Sequence, residues 1–308
     1  MESGTEGEFD LIARFFSGLD RGFAVSLGNG DDAAVIEPPR GEQIVTSTDT
    51  MVCGVHFPAD GAAHLIAYRA VAAATSDLAA MGAAPLACLL SLALDNADSQ
   101  WLGDFRRGLS RAVKAFSLPL VGGDLARGPL TITIQVLGSV PRGTSLTRGG
   151  AGVGDLLCVS GTLGGAAAGL AVCQGTLELP PNARDALLDR FWRPRPALEL
   201  GASLRGVARA AIDVSDGLLS DAGHLASASG LAVKIRSDLV PLSPELTKYV
   251  SRKQALLWGL TGGEDFELCF ALPANLPVPD GCVTVGQFQE GEGVNCDMAF
   301  EQPGYRHF

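Results

Sequence analysis

Short apolar runs of strand type alternate with helical runs along the whole chain, and this alternation constrains it to an α/β fold in which helices cover sheets. Strand-like runs lie at 33–36, 43–48, 88–94, 131–140, 156–160, 210–214, 231–235, 266–272 and 282–288. An Ala- and Leu-rich helical segment fills 64–80 and stops at Gly82 and Pro85. Trp101, Phe105, Leu109, Val113 and Phe116 recur at helical spacing and predict an amphipathic helix packed on the core. Further helices are expected at 164–173, around 192–204, at 217–229 and near 253–258, with Gly230 placed to close the third of these by a left-handed cap. The stretch PRGTSLTRGGAGVGD is dense in turn residues and divides the 308 residues into an amino-terminal domain, 1–145, and a carboxy-terminal α/β domain, 146–308.

Composition narrows the class of partner. The 34 Asp and Glu against 23 Lys and Arg leave a net charge of −11, which removes the driving force for sequence-independent attraction to nucleic acid or anionic lipid. The first ten residues are acidic and polar and do not read as an export signal. The longest strongly apolar stretch, Pro85 to Leu94, is far short of the roughly 20 residues that span a bilayer. Seven cysteines, widely spaced and without a CxxC pair, argue against a disulfide framework and a zinc site, and fit a reducing cytoplasm. Cys88, Cys158 and Cys269 sit in apolar runs and read as small core residues.

The chemistry lies in the carboxylates. Aspartates recur at strand ends and Gly-rich turns: GNGDDAA with Asp31 and Asp32, TSTDT with Asp49, TSDLAAMGA with Asp77, VGGDLARG with Asp124, IDVSDGL with Asp213 and Asp216, and TGGEDFEL with Glu264 and Asp265. A lone Asp before a helix is equally a cap, and Asp216 carries both readings. Asp77 is harder to explain structurally, because a carboxylate near a helix carboxy terminus among Ala, Leu and Met opposes the helix dipole. Converging carboxylates need a counter-charge, and Mg²⁺ with oxygen ligands is the natural one; an acidic pocket that takes a nucleotide then points to metal-assisted phosphoryl transfer. GxxxxGK[ST] is absent, and GTLGGAAAGL lacks the lysine of a P-loop, so its glycines serve either a phosphate or close helix packing. His56, seven residues after Asp49, faces either the same cleft or solvent.

Together GDDAAV, TSTDTMVCGVHF, SDLAAMGA, VGGD, LTRGGA, IDVSDGL and GGEDFELCF, in this order from about Glu8 to the closing GYRHF, resemble the thiamine-monophosphate kinase family, of the superfamily that includes aminoimidazole ribonucleotide synthetase. The resemblance implies a two-domain, mixed-sheet α/β fold, with the amino-terminal metal- and ATP-binding sheets of two protomers joined in a barrel across a homodimer. It implies transfer of the γ-phosphoryl group of ATP to thiamine monophosphate with several Mg²⁺ ions. By the same resemblance Asp32, Ser47, Thr48, Asp49, Asp77, Asp124, Asp213 and Asp216 match positions that hold Mg²⁺. Gly123, Asp124, Arg148 and Ser215 match the ATP side, and His56, Glu264 and Tyr305 the thiamine side, with Asp49, Asp124 and Arg148 the residues on which turnover depends. One departure stands out: after VGGD the family carries Thr or Ser, where this chain has Leu125 and Ala126. No residue reads as a covalent phosphate carrier, so direct in-line transfer is expected. A sister purine-pathway cyclo-ligase or selenophosphate synthetase, and a metal-binding scaffold or thiamine-diphosphate sensor, are the competing readings.

Overall fold

In the computed structural model residues 7–298 and Gly304 are described. The chain divides into two compact units, one of Met1–Leu78 with Ala84–Arg142, the other of Ala79–Ala83 with Gly143–Phe308.

The first unit runs α1 (Glu8–Phe15), β1 (Val25–Leu27), β2 (Val35–Ile36), β3 (Glu42–Val52), α2 (Ala63–Ala80), β4 (Ala84–Leu94), α3 (Ser99–Phe116), β5 (Leu120–Arg127) and β6 (Thr131–Pro141). Its main sheet has the order β3-β6-β4-β5, with β6 antiparallel to both neighbours and β5 parallel to β4. Alternation along β6 sets the two faces: Ile132, Ile134 and Val136 are buried, while Gln135 between them is exposed. Helix α3 begins at Asp98, whose carboxylate accepts the Trp101 N–H at 2.7 Å, and buries Phe105, Leu109 and Phe116 as their spacing predicts. Rings of Tyr68 and Phe116 meet at 5.5 Å, and His64 pairs with Asp104 at 3.1 Å, so α2 and α3 pack closely. A side chain at Gly108 would run into the His64 carbonyl.

The second unit runs β7 (Leu156–Ser160), α4 (Gly165–Cys173), α5 (Pro181–Trp192), α6 (Leu198–Leu204), β8 (Ala210–Asp213), α7 (Leu218–Ser229), β9 (Ala232–Ile235), α8 (Pro244–Tyr249), α9 (Arg252–Thr261), β10 (Leu268–Leu272), β11 (Cys282–Gln289) and β12 (Gly293–Cys296). Its sheet has the order β12-β9-β11-β7-β10-β8 and is antiparallel except for the β12/β9 pair. Strands β7 and β10 are covered on both faces, which explains their unbroken apolar sequence. Val159, Ile212 and Cys269 pack against Leu218 and Leu225 on one side, while Cys158, Leu268 and Phe270 pack against Leu204 on the other. Gly230 caps α7 in the left-handed conformation, φ 66°, as its position predicts.

The five residues Ala79–Ala83, which end α2 and turn into β4, belong to this second unit. Met81 accepts the Leu146 N–H at 3.1 Å, Gly82 accepts Arg205 Nη1 at 3.2 Å, and Ala79 and Ala80 join the cluster around Leu204 and Phe270. Cys88, Cys158 and Cys269 are buried, and burial pushes the Cys88 thiol up to about 12, so they are core residues as expected. Among the described residues no helix is long and apolar enough to cross a membrane.

Candidate functional site

Each unit presents its own acidic group. In the first, Asp49 and Asp124 lie within strands, where the sequence had suggested strand ends and turns. Asp49 is inside β3, opposite Ile134 of β6, and Asp124 is inside β5, beside Ser91 of β4. Gly123 makes the latter strand possible: its φ is +149°, and a Cβ there would stand 1.8 Å from the Leu90 carbonyl oxygen. The pleat puts Ser47 and Asp49 on one face and the exposed Thr48 on the other.

From α2, Asp77 meets that first face: Ser47 Oγ donates to Asp77 Oδ2 at 2.5 Å, which offsets part of the cost of a carboxylate near a helix carboxy terminus. Strands β3 and β5 are the two edges of the sheet, so Asp49 and Asp124 lie on opposite edges with β6 and β4 between them. Asp32 is exposed just before β2, its N–H donating to Asp31 Oδ1 at 2.9 Å. His56 sits in the turn after β3, and its Nδ1 accepts the Val52 N–H at 3.0 Å. The neutral ring therefore carries its proton on Nε2.

In the second unit Asp213 ends β8, 4% exposed, and Ser215 and Asp216 form the turn into α7. The cap of that helix is Asp221. Its Oδ2 alone accepts the N–H groups of Ser215, Asp216 and Gly217, at 3.1, 3.1 and 3.0 Å. The helix is thus capped by Asp221 and not by Asp216, and an Asp in the first turn of a helix is a recognisable signal. Burial, followed by the charges of Asp213 and Asp216, pushes the Asp221 carboxyl up to about 8, against the pull of the donated amides. Asp216, Asp221 and the exposed His224 place ligand atoms within 4.8 Å of one another. An oxygen-dominated donor set of this kind fits a hard divalent cation, and Mg²⁺ is compatible with it.

A second turn locks onto this one. The Glu264 N–H donates to the Ser215 carbonyl at 2.8 Å and the Phe266 N–H to that of Val214 at 3.0 Å, while a side chain on Gly263 would strike the Ser215 carbonyl. Glu264 and Phe266 are held left-handed, φ 59° and 52°, a conformation that costs roughly 1–3 kcal/mol at each non-glycine residue. Between them Asp265 is buried, and its two oxygens accept the Gly164 N–H at 2.7 Å and the Ala166 N–H at 3.0 Å. Burial pushes its carboxyl up to about 7, with those two amides pulling the other way.

The amides at the start of α4, one of two readings of GTLGGAAAGL as a phosphate cradle, are therefore occupied by Asp265. The packing reading holds instead, since a side chain on Gly169 would meet the Leu187 carbonyl of α5 at 2.2 Å. Below this turn Glu267 accepts Ser160 Oγ at 2.5 Å and pairs with Arg190 at 3.5 Å, a polar knot that no sequence motif announced. Arg148 is exposed in the loop before β7. Tyr305 lies outside the described residues.

Comparison with known proteins follows the same lines. The model of the family "AIR synthase related protein, N-terminal domain" matches residues 30–140. The thiamine-monophosphate kinase of Escherichia coli (strain K12) is 42% identical over 330 aligned positions, covering 98% of each chain. A crystal structure of thiamine-monophosphate kinase from Stenotrophomonas maltophilia K279a superposes with a TM-score of 0.83 at 38% identity, covering 93% of this chain and 94% of that one. AaThiL complexed with AMPPCP and TMP superposes with a TM-score of 0.82 at 32% identity, covering 98% and 97%.

Proposed function

The chain belongs to the thiamine-monophosphate kinase family, and from that premise we propose how its residues divide the transfer of a phosphoryl group from ATP to thiamine monophosphate. It is a kinase with ATP as co-substrate and thiamine monophosphate as acceptor, and the product is thiamine diphosphate. The observation that carries this reading is 42% identity over nearly the full length of a thiamine-monophosphate kinase, in a chain whose acidic motifs run in order along its sequence. Purified protein incubated with ATP, Mg²⁺ and thiamine monophosphate should form thiamine diphosphate; no product at saturating substrates would end the reading.

Asp32, Ser47, Thr48, Asp49, Asp77, Asp124, Asp213 and Asp216 are the residues that would hold Mg²⁺, with Thr48, on the opposite face from Ser47 and Asp49, contributing separately from them. The placement of Asp49 and Asp124 on opposite edges of the sheet supports several ions over one. Bound Mg²⁺ offsets negative charge on the transferred phosphoryl group. Gly123, Asp124, Arg148 and Ser215 serve the ATP side, where the exposed Arg148 guanidinium offers a fork of donors to a phosphate. His56, Glu264 and Tyr305 serve the acceptor. With Nδ1 engaged by Val52, His56 presents Nε2–H as a donor, while Glu264 presents a carboxylate to the cationic portion of the acceptor.

The acceptor is a phosphomonoester with a second pKa of about 6, so it is largely dianionic at neutral pH and needs no general base. Direct in-line transfer without a phosphoenzyme follows. Residues 1–145 are read as the metal-, ATP-binding and dimerisation domain and 146–308 as the carboxy-terminal α/β domain. A homodimer in which two sheets close into a barrel would cover the edge strands β3 and β5, the former eleven residues long with Ile44 exposed. Free thiols and a net charge of −11 accord with a cytoplasmic enzyme that meets its substrates without nucleic acid or membrane.

A further inference from the structure

Asp265 has no assigned part in the site, yet among the described residues it is the buried centre of the one segment where two non-glycine residues are held left-handed within three positions. Glu264 and Phe266 flank it at φ 59° and 52°. Neither conformation is one that a Glu or Phe adopts unaided, so the turn persists only where its surroundings determine it fully. Two backbone hydrogen bonds, from the Glu264 and Phe266 N–H groups to Ser215 and Val214, fix one side of the turn. The other side is fixed by the Asp265 side chain, which spans to α4 and takes one amide on each oxygen.

We infer that Asp265 is a positioning residue for the acceptor: by tying the Gly263–Phe266 turn to the amino terminus of α4, it holds Glu264 left-handed and aims its carboxylate at the thiamine portion of the substrate. The inference rests on the kinase reading above, in which Glu264 meets the acceptor. Three features of the geometry favour this over a general stabilising role. The carboxylate makes both bonds outside its own turn. Its neighbour is the acceptor-side residue itself, one peptide away. The ATP-side turn at Ser215–Gly217 has a side-chain anchor of its own in Asp221, besides the Glu264 N–H that reaches the Ser215 carbonyl. Loosening Asp265 should therefore disturb the acceptor and leave ATP largely alone.

Asp265→Asn is isosteric and keeps one acceptor oxygen, but sets an NH₂ group against the second amide. By calorimetry in Mg²⁺ without ATP, thiamine monophosphate should bind this variant about tenfold more weakly than wild type, with the KM for ATP changed less than about twofold. In a Glu264→Gln background, where the carboxylate to be aimed is already gone, adding Asp265→Asn should change acceptor affinity by less than about twofold, which is the non-additivity expected of one residue acting through another. Hydrogen exchange on the wild type gives a reading without substitution: thiamine monophosphate should slow the amides of Gly164, Ala166, Glu264 and Phe266 together. Wild-type acceptor affinity in Asp265→Asn, equal losses for ATP and acceptor, additive losses in the double variant, or ligand-induced protection confined to Glu264 would each overturn the positioning role while leaving the kinase reading in place. Failure of the wild type to bind thiamine monophosphate would overturn both.

Discussion

Replacing Asp221 by Asn should make the metal-free protein more stable at alkaline pH and leave it little changed at acid pH. The carboxyl is pushed from 3.8 up to about 8, mainly by burial and then by Asp213 and Asp216. Between these values the folded chain holds a proton that the unfolded chain has lost. The protonated form's contribution is therefore complete below pH 3.8 and is lost as pH rises through about 8. Each pH unit in that window removes about 1.4 kcal/mol, so from pH 5.5 to 8 the wild type loses about 3 kcal/mol through this residue as an upper bound.

Asparagine does not titrate, and because all three amides are accepted by Oδ2 alone, its one carbonyl oxygen can take over the whole cap. The gap in unfolding free energy between variant and wild type should therefore widen by up to about 3 kcal/mol over the same interval. Urea titrations in EDTA, followed by the fluorescence of Trp192 and Trp258 in the same unit, measure it. Saturating Mg²⁺ should narrow the gap by neutralising Asp213 and Asp216, leaving the part due to burial. Parallel pH profiles of the two proteins in EDTA would refute the argument.

Asp49→Asn or Asp124→Asn should nearly abolish turnover at saturating Mg²⁺ while circular dichroism remains that of the wild type; retention of most activity by either would remove that residue from the metal set. Light scattering at micromolar concentration should give twice the 31.8 kDa chain mass, and a lone monomer would exclude the barrel dimer. Thiamine monophosphate should be strongly preferred to thiamine, because a primary alcohol requires a base that the dianionic phosphate does not; equal specificity constants would contradict this. Transfer from ATP chiral at the γ-phosphorus should proceed with inversion, whereas retention would indicate a phosphoenzyme.

Periodicity and turn chemistry made most of the secondary structure legible, because long amphipathic or doubly buried segments such as α3, β6 and β7 carry strong local signals. The failures also have physical causes. VGGD reads as a turn because two glycines precede an Asp, yet it is strand, since Gly123 is needed for close approach to Leu90 and not for reversal. The short β12 and α8 were missed because four or six residues hold too little pattern. Within the site, the carboxylates were visible as repeated Asp–Gly contexts, but their long-range supports were not. Asp221 reaches amides four to six residues back and left a local signal, whereas Asp265 and Glu267 act through amides or a Ser and an Arg far off in sequence, and no spacing rule connects Asp265 to Gly164 across 101 positions.

The excursion of Ala79–Ala83 into the second unit has a consequence for the history and handling of the chain. A gene cut after Arg142 would not release a self-contained half. The first fragment would carry five residues, among them buried alanines, whose companions around Leu204 and Phe270 had been left behind, and the second would have a vacancy where they belong. Split versions should regain their fold only by complementation, and recombination between relatives should be tolerated better when residues 79–83 are inherited together with the carboxy-terminal half than when they follow the helix that delivers them.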